Sequence, residues 1–302
     1  MEVIQQIIIL YLVAGVGFLL TKLKVFNDQT VKAMTSLTSN VGIPALTVIK
    51  LLDVDDPALL PSLMQTILIS FLLLAVLLGV SYMIFRKETQ VRRSIFVQMA
   101  AFCNCGFMGY PVVEAALGAT GLMHAIGFNM AYCFMTWTVG VRLFAGKQPG
   151  SWKKMINPSL VAAVISMVMF AFSMRLPTVV HSGLKYLADT TTPLSMLITG
   201  AYMTRITRDI AVDKKMWGGC GLRLVVFPLL TLALMLLLPI TPIQKEALYI
   251  IQLMPCGSVM VIQALTYGTE DSARMATGGV ALSTILSAAT IPLLLLLLPL
   301  LA

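Results

Sequence analysis

The sequence predicts an all-α polytopic membrane protein whose ten transmembrane helices form two inverted repeats of five. Three observations support this fold class. The 302 residues are 58% hydrophobic and only 11% charged, whereas a soluble domain of this size carries roughly 25% charged residues. The apolar residues fall in segments long enough to cross a bilayer. Two of these segments, the fourth and the ninth, are interrupted near their centres by glycine and proline, as in many secondary transporters.

Ten apolar segments reach the length of about 20 residues that a transmembrane helix requires. They are predicted at 3–21, 29–50, 60–85, 94–117, 121–145, 157–175, 183–204, 217–238, 244–267 and 273–299. The loops between them are short and rich in Pro, Asp, Lys and Arg. The sequence therefore leaves no room for a soluble domain between the spans.

Positive charge is concentrated in alternate loops. Sixteen of the 21 Lys and Arg residues lie in the loops that follow odd-numbered spans, and four lie on the opposite side. Loops rich in Lys and Arg stay in the cytoplasm. The sequence thus predicts a multi-pass protein of the cytoplasmic (inner) membrane with both termini outside the cytoplasm. The net charge of +8 follows from these loops and does not indicate nucleic-acid binding.

The chain divides into two halves, residues 1–150 and 151–302, with five spans in each. An odd number of spans makes the second half enter the membrane in the opposite sense. At an offset of about 150 residues, three irregular features align: Pro44 with Pro193, Gly118 with Gly268, and the region of Asn104 with Pro255. These matches favour an internal duplication.

The centre of span four, residues 103–111, reads Cys-Asn-Cys-Gly-Phe-Met-Gly-Tyr-Pro. Pro111 has no N–H, so the carbonyl of Phe107 loses its helical partner. Freed backbone groups at membrane depth are tolerated only where protein or a watered cavity covers them. The broken helix therefore predicts a binding site. A half-helix N-terminus suits a carboxylate, and the amide of Asn104 can donate a hydrogen bond to it.

The same pattern recurs in span nine, where Pro255 removes the partner of the Ile251 carbonyl and a glycine and a serine follow. We predict that the two breaks together form the substrate site. The predicted substrate-binding residues are Asn104, Cys105, Gly106, Pro255, Cys256, Gly257 and Ser258. The predicted helix-break residues are Gly109, Pro111, Pro44 and Pro193.

Other interpretations of these residues stay open. Close packing through small residues, with plain proline kinks, would give the same pattern. The polar residues before Pro44 and Pro193 either line the cavity or bond back to their own helices. Glu114, one turn after Pro111, is either a carrier of a coupled proton or a carboxylate near enough to the span's outer end to reach water. His124 opens span five and is predicted to be solvated.

Five cysteines and 20 methionines are the ligands that a soft-metal transporter would use. Methionine is also a flexible filler and cysteine a small apolar residue, and this interpretation is favoured, so we predict neither a metal nor a cofactor. The sequence contains no nucleotide-binding loop, no nucleophile with its base and no zinc motif. An enzyme is therefore not indicated, and a nucleotide-driven pump in one chain is excluded.

These motifs resemble the auxin efflux carrier (AEC) family over nearly the whole chain. The resemblance is carried by the following residues: the run from Gly15 to Lys50 with its Ile43-Pro44-Ala45-Leu46 motif, Asn104 to Pro111 as Asn-x-x-x-x-Gly-x-Pro, Asn157-Pro158, Thr192-Pro193-Leu194 through Gly200-Ala201, and Met254-Pro255. The span-four motif is the most specific of them.

The resemblance implies a ten-helix fold in which helices four and nine cross, similar to bile-acid sodium symporters and sodium/proton antiporters. It also implies a scaffold domain (spans 1, 2, 6 and 7), a transport domain (spans 3–5 and 8–10) and elevator-type motion. By the same resemblance, Asn104 would contact the substrate carboxylate and Pro255 would mark the second crossover. Cys103 stands where plant members have a proline. Together with the short loop between spans five and six, this indicates a prokaryotic member.

We therefore expect a carrier that moves a small organic anion, a malate-like carboxylate or an auxin-like acid. A cation-coupled symporter or sodium/proton-type antiporter of the same fold is the first alternative, although it would want a buried carboxylate pair that span five lacks. A non-transporting membrane sensor is the second. The expected partners are the anion and the bilayer, and a coupling proton or sodium ion and a homodimer are further candidates.

Overall fold

The computed structural model describes residues 2–54, 56–145 and 158–301. Nearly all of these residues are helical, and their one extended pairing is an isolated antiparallel bridge between Cys103 and Cys256.

We number the helices by predicted span. Four are continuous: α1 Glu2–Lys22, α3 Leu60–Phe85, α6 Pro158–Ala171 and α10 Glu270–Leu295. Two spans are split into α4a Gln90–Ala101, α4b 105–117, α9a Pro242–Gln252 and α9b Val259–Tyr267. The others, α2 (28–52), α5 (119–145), α7 (178–203) and α8 (214–237), each contain a local irregularity.

Each predicted span falls on one of these helices. Among the described residues, five continuous stretches are long and apolar enough to cross a membrane: Gln5–Lys22, Leu60–Phe85, Cys105–Phe144, Lys214–Leu237 and Glu270–Leu295. The third stretch contains the predicted turn between spans four and five, where Gly118 has a φ of +66°, a conformation that glycine adopts without steric cost. The structure is therefore that of a polytopic helical membrane protein. The predicted boundary between the halves, at residues 150 and 151, lies outside the described residues.

Prolines in three helices are accommodated by π-helical turns. These turns are Thr38–Gly42 before Pro44, Cys105–Gly109 before Pro111 and Leu222–Val226 before Pro228. In each case the N–H that follows the turn bonds to the carbonyl five residues back, as from Tyr110 to Cys105. Proline lacks an N–H, and its ring clashes with the carbonyl four residues earlier. A wider turn just ahead of it shifts the hydrogen-bond register by one residue, so the helix continues.

The interruptions consequently lie elsewhere than at the four predicted helix-break residues. Gly109 and Pro44 lie in or beside π turns, Pro111 is the second residue of the regular part of α4b, and Pro193 lies in the helix Thr191–Met203. The chain leaves helical geometry at 102–104 and at 253–258.

Helices α1 and α7 pack with their backbones in direct contact. A Cβ added at Gly200 would lie 2.8 Å from the Phe18 nitrogen and closer still to the carbonyl of Ala14. Gly17 of α1 meets the backbone of Leu197 in the same way. Small residues allow this approach in membranes, where helix association depends on van der Waals packing. Helix α2 in turn packs on α6 and on α7.

A set of ion pairs joins the N-terminal ends of α4a, α8 and α10. Arg92 Nη2 lies 2.6 Å from Asp213 Oδ2, Arg274 Nη1 lies 2.6 Å from Asp209 Oδ2, and Lys215 pairs with Glu88. Partial burial opposes ionisation of Asp213, but the hydrogen bond and charge of Arg92, together with the backbone N–H groups of Lys215 and Met216, outweigh it and lower the pKa of that carboxyl. These contacts hold the start of α8 beside the start of α4a.

We expect Gly200→Ala to destabilise the protein, because its methyl group would overlap the α1 backbone. The loss should be about 1–3 kcal/mol, the usual range for overpacking, measured as a lower midpoint of thermal unfolding in detergent. Gly183→Ala in α7 is the matched control, since nothing lies within 4 Å of its Cβ position. The control should be neutral or slightly stabilising. Equal midpoints for the two variants would contradict the close α1–α7 contact.

Candidate substrate site

The two interrupted helices meet at their breaks through backbone hydrogen bonds. The N–H of Asn104 donates to the Pro255 carbonyl at 2.7 Å, and the N–H of Gly257 donates to the Phe102 carbonyl at 2.9 Å. Each break leaves backbone groups without helical partners, which is costly inside a bilayer. Each segment supplies a hydrogen-bond partner to a backbone group of the other. The antiparallel bridge between Cys103 and Cys256 fixes their register.

Gly257 is required by the close approach of the two breaks. A Cβ at this position would lie 2.5 Å from the Tyr132 hydroxyl and 2.9 Å from the Cys103 carbonyl oxygen. The Cys256 side of the break is held by α10, because the Cys256 N–H donates to Ser283 Oγ at 3.2 Å. The break in span nine is thus fixed from both sides.

The half-helices α4b and α9b begin at equivalent positions. Asn104 is the N-cap of α4b and Ser258 the N-cap of α9b. A buried glutamine, Gln98 or Gln252, precedes each N-cap by six residues. Asn104 Oδ1 accepts the Phe107 N–H at 3.3 Å, as N-cap residues do.

Two buried donors at these N-caps have no partner in the described part of the chain. They are Asn104 Nδ2 and Ser258 Oγ, and both residues are only 5% exposed. An unpaired buried polar group costs about 1–3 kcal/mol, so such groups need an explanation. A ligand that accepts hydrogen bonds would supply one.

A cavity of about 100 Å³ lies in front of these donors. One water molecule needs roughly 10–15 Å³ by this measure, so the cavity has room for several waters or a small organic molecule. None of the described residues that line it is a Lys, Arg, His, Asp or Glu. The lining residues are Thr35, Ser39, Asn40, Ile43, Cys103, Asn104, Cys105, Gly106, Phe107, Asn129, Tyr132, Cys133, Trp137, Pro158, Ser159, Ser258, Val259 and Ile262.

The cavity lies between two groups of helices. Residues of α2 and α6 line one side, and residues of α4b, α5 and α9b line the other. One direct polar contact between α2 and α6 here is the hydrogen bond from Ser159 Oγ to the Ser39 carbonyl, at 3.3 Å. The site is therefore shared between helices of different parts of the fold.

Arg223 lies behind the crossing and was not predicted as a site residue. This fully buried side chain projects from the π turn of α8. Its Nη1 donates to the carbonyls of Ala100 and Ala101 at 3.2 and 3.3 Å. Its Nη2 donates to the Gln252 carbonyl at 2.6 Å and also to the Gln252 side chain. One guanidinium thus caps the C-terminal ends of both α4a and α9a. The signal in the sequence was a lone arginine within an apolar span.

The predicted site residues divide into two groups in the structure. Asn104, Cys105, Gly106 and Ser258 line the cavity. Pro255, Cys256 and Gly257 form the backbone bridge behind it. Gly109, Pro111, Pro44 and Pro193 are not among the lining residues.

Glu114 lies away from the cavity lining. Its Oε1 is 2.5 Å from Nζ of Lys50, and both side chains are partly exposed. The pair joins α4b to the end of α2. His124 was predicted to be solvated, and this was wrong: it is 1% exposed, and its Nδ1 lies 2.9 Å from Thr66 Oγ1 of α3.

The hydroxyls around Pro193 bond back to their own helix. Ser195 and Thr199 donate to carbonyls four residues earlier, at 2.6 and 2.8 Å. Asn40, before Pro44, donates to Ser36 Oγ of its own helix at 3.1 Å and also lines the cavity. Bonding within the helix thus occurs in both clusters, and Asn40 of α2 lines the cavity as well.

Two of the thiols near the site bond to the amide of Asn129. Cys105 Sγ lies 3.1 Å and Cys133 Sγ 3.8 Å from Asn129 Oδ1. All five cysteines are free. Among the described residues, no three His, Cys, Asp or Glu side chains are grouped to hold a metal ion.

The fold and the site define a polytopic helical membrane protein with a solute-sized cavity where two broken helices meet. The chain belongs to the membrane transport protein family, the AEC family of the sequence resemblance, whose pattern matches twice, over residues 2–151 and 150–295. It is 26% identical over 285 residues to an uncharacterized transporter of Methanocaldococcus jannaschii, covering 88% of this chain and 89% of the relative. It is 25% identical over 303 residues to an uncharacterized transporter of Methanothermobacter thermautotrophicus, covering 97% and 96%.

We expect Gly257→Ala to destabilise the bridge between the breaks, because its methyl group would displace Tyr132 or the Cys103 carbonyl. The loss should again be about 1–3 kcal/mol, measured by thermal unfolding. Gly106→Ala is the matched control for stability, since its Cβ would meet only the end of the Ile43 side chain, at 3.1 Å. A smaller loss in Gly257→Ala than in Gly106→Ala would contradict the tight crossing.

Proposed function

We propose that this transporter carries a small organic anion, and that the anion's carboxylate binds where the two broken helices meet. The observation that carries the proposal is the pair of unpartnered, buried donors, Asn104 Nδ2 and Ser258 Oγ, at the cavity. A carboxylate has two oxygens that accept hydrogen bonds and none that donates. It would therefore satisfy both donors at once.

The backbone around the donors also favours an anion. The N-termini of α4b and α9b both begin at cavity residues. A helix N-terminus carries about half a unit of positive charge and unpaired N–H groups. Two such ends would stabilise a carboxylate without a lysine or arginine in the lining.

The rest of the cavity suits the body of a small acid. Its walls combine apolar and aromatic side chains, including Phe107, Tyr132 and Trp137, with hydroxyls and amides on the α2 side, such as Ser39 and Asn40. This mixture is typical of small-molecule sites, where a few polar groups set the orientation. We therefore propose a malate-like carboxylate or an auxin-like acid as the substrate.

We further propose alternating access by an elevator-type motion between a scaffold of spans 1, 2, 6 and 7 and a transport domain of spans 3–5 and 8–10. The packing of α1 on α7 and of α2 on α6 and α7 supports the scaffold. The shared lining of the cavity supports movement along that boundary.

Two family matches in succession support inverted five-helix repeats. The concentration of Lys and Arg in alternate loops supports a location in the cytoplasmic membrane with both termini outside the cytoplasm. A homodimer stays a prediction.

Uptake of labelled malate and indole-3-acetate into proteoliposomes tests the substrate class. We expect saturable uptake by the wild type and a loss of about tenfold or more in Asn104→Ala and in Ser258→Ala, since each removes a hydrogen bond to a charged group. Thr266→Ala is the matched control, because this hydroxyl of α9b bonds to its own helix at Ile262. Full activity in both site variants, or no uptake of either acid, would contradict the anion site.

A cation-coupled carrier is the alternative that the same assay distinguishes. Coupling would make uptake respond to an imposed proton or sodium gradient, and a proton carried by Glu114 would make the response depend on that residue. Since Glu114 is paired with Lys50 outside the cavity lining, we expect wild type and Glu114→Gln to respond alike. A response that disappears in Glu114→Gln would assign the proton to Glu114. Binding without flux would indicate a sensor.

A further inference from the structure

We propose that Arg223 makes the site selective for anions by neutralising the negative ends of α4a and α9a. The inference rests on the proposed function and assigns a role to a residue outside the cavity. It starts from the geometry of the crossing, where four half-helix ends meet. Two of them, the N-termini of α4b and α9b, begin at the cavity. The other two, the C-termini of α4a and α9a, end behind it.

Without a counter-charge, the positive partial charges of the two N-termini and the negative partial charges of the two C-termini would cancel. Each N-terminus carries about +0.5 and each C-terminus about −0.5 of an elementary charge. Their sum near the crossing would be close to zero, and an anion in the cavity would gain little from it. Selectivity for anions therefore requires that the negative ends be compensated.

Arg223 supplies that compensation. Its guanidinium donates to the last carbonyls of both half-helices, those of Ala101 and Gln252 among them, and so lies at both negative ends at once. A guanidinium stays protonated in proteins. One positive charge matches about two half-charges, which leaves the positive ends of α4b and α9b to act on the cavity.

The charge of Arg223 is not neutralised by an acidic side chain of the described residues. Among the described residues, it forms no ion pair with a carboxylate, and its Nε has no hydrogen-bond partner. Gln252, rather than an acid, meets it from α9a. Burying an arginine without a carboxylate is costly, and the electrostatic role gives a reason for retaining it. Arg223 is thus a positioning residue that acts through the half-helices and does not touch the substrate.

The experiment compares each acid with its uncharged amide in equilibrium binding to the purified protein. The probes are indole-3-acetate with indole-3-acetamide and malate with malamide. Arg223→Gln removes the charge. Gln252→Glu neutralises the charge with an acid while keeping a hydrogen-bond acceptor beside Arg223, and it serves if Arg223→Gln fails to fold. Arg223→Lys keeps a positive charge. Arg205→Gln is the control, since it removes an arginine that pairs with exposed Asp28 away from the site.

We expect the affinity ratio of acid to amide to fall about tenfold in Arg223→Gln and Gln252→Glu, and to stay near wild type in Arg223→Lys and Arg205→Gln. A merely structural role would weaken acid and amide alike and leave the ratio unchanged. Unchanged ratios in folded Arg223→Gln or Gln252→Glu would overturn the inference, as would an equal loss in Arg223→Lys. Wild-type protein that binds neither acid would instead refute the proposed function, and the inference with it.

Discussion

Two backbone hydrogen bonds hold the centre of this protein together. Helices α4 and α9 both lose regular geometry at membrane depth, where water cannot satisfy the exposed N–H and C=O groups. Each break is tolerable because the other supplies partners, through Asn104 to Pro255 and Gly257 to Phe102. Neither break would be stable alone. The glycine at 257, the packing of Tyr132 and the hold of Ser283 on Cys256 follow from this mutual requirement.

The same crossing organises the charges of the site. It brings two helix N-termini to the cavity and two C-termini to its rear, where Arg223 meets them. In the part of the chain that the structure describes, the cavity lining contains no Lys, Arg, His, Asp or Glu. In the proposed mechanism, the electrostatics of the site depend on the backbone dipoles of the half-helices and on the buried guanidinium of Arg223.

Much of the fold could be predicted from the sequence. Hydropathy placed apolar segments on each of the long helical stretches of the described residues that could cross a membrane, because a transmembrane helix must present apolar side chains over its whole length. The motif at 103–111 and Pro255 correctly indicated where span four and span nine are interrupted. Of the predicted substrate-binding residues, Asn104 and Ser258 line the cavity, and their contact with a substrate stays a prediction. The exact positions of the interruptions were not readable, since a π turn ahead of a proline preserves a helix that local rules would break.

The sequence by itself determined the class of protein, its apolar segments and its family, because each depends on composition and on motifs contiguous in the chain. Only the tertiary structure decided which groups meet. Arg223 is 29 residues from Gln252 and more than a hundred from Ala101 along the chain. Glu114 finds Lys50, and His124 finds Thr66, across different helices. The partner of a polar group inside a membrane protein is set by helix packing, and packing directions are not encoded in hydropathy.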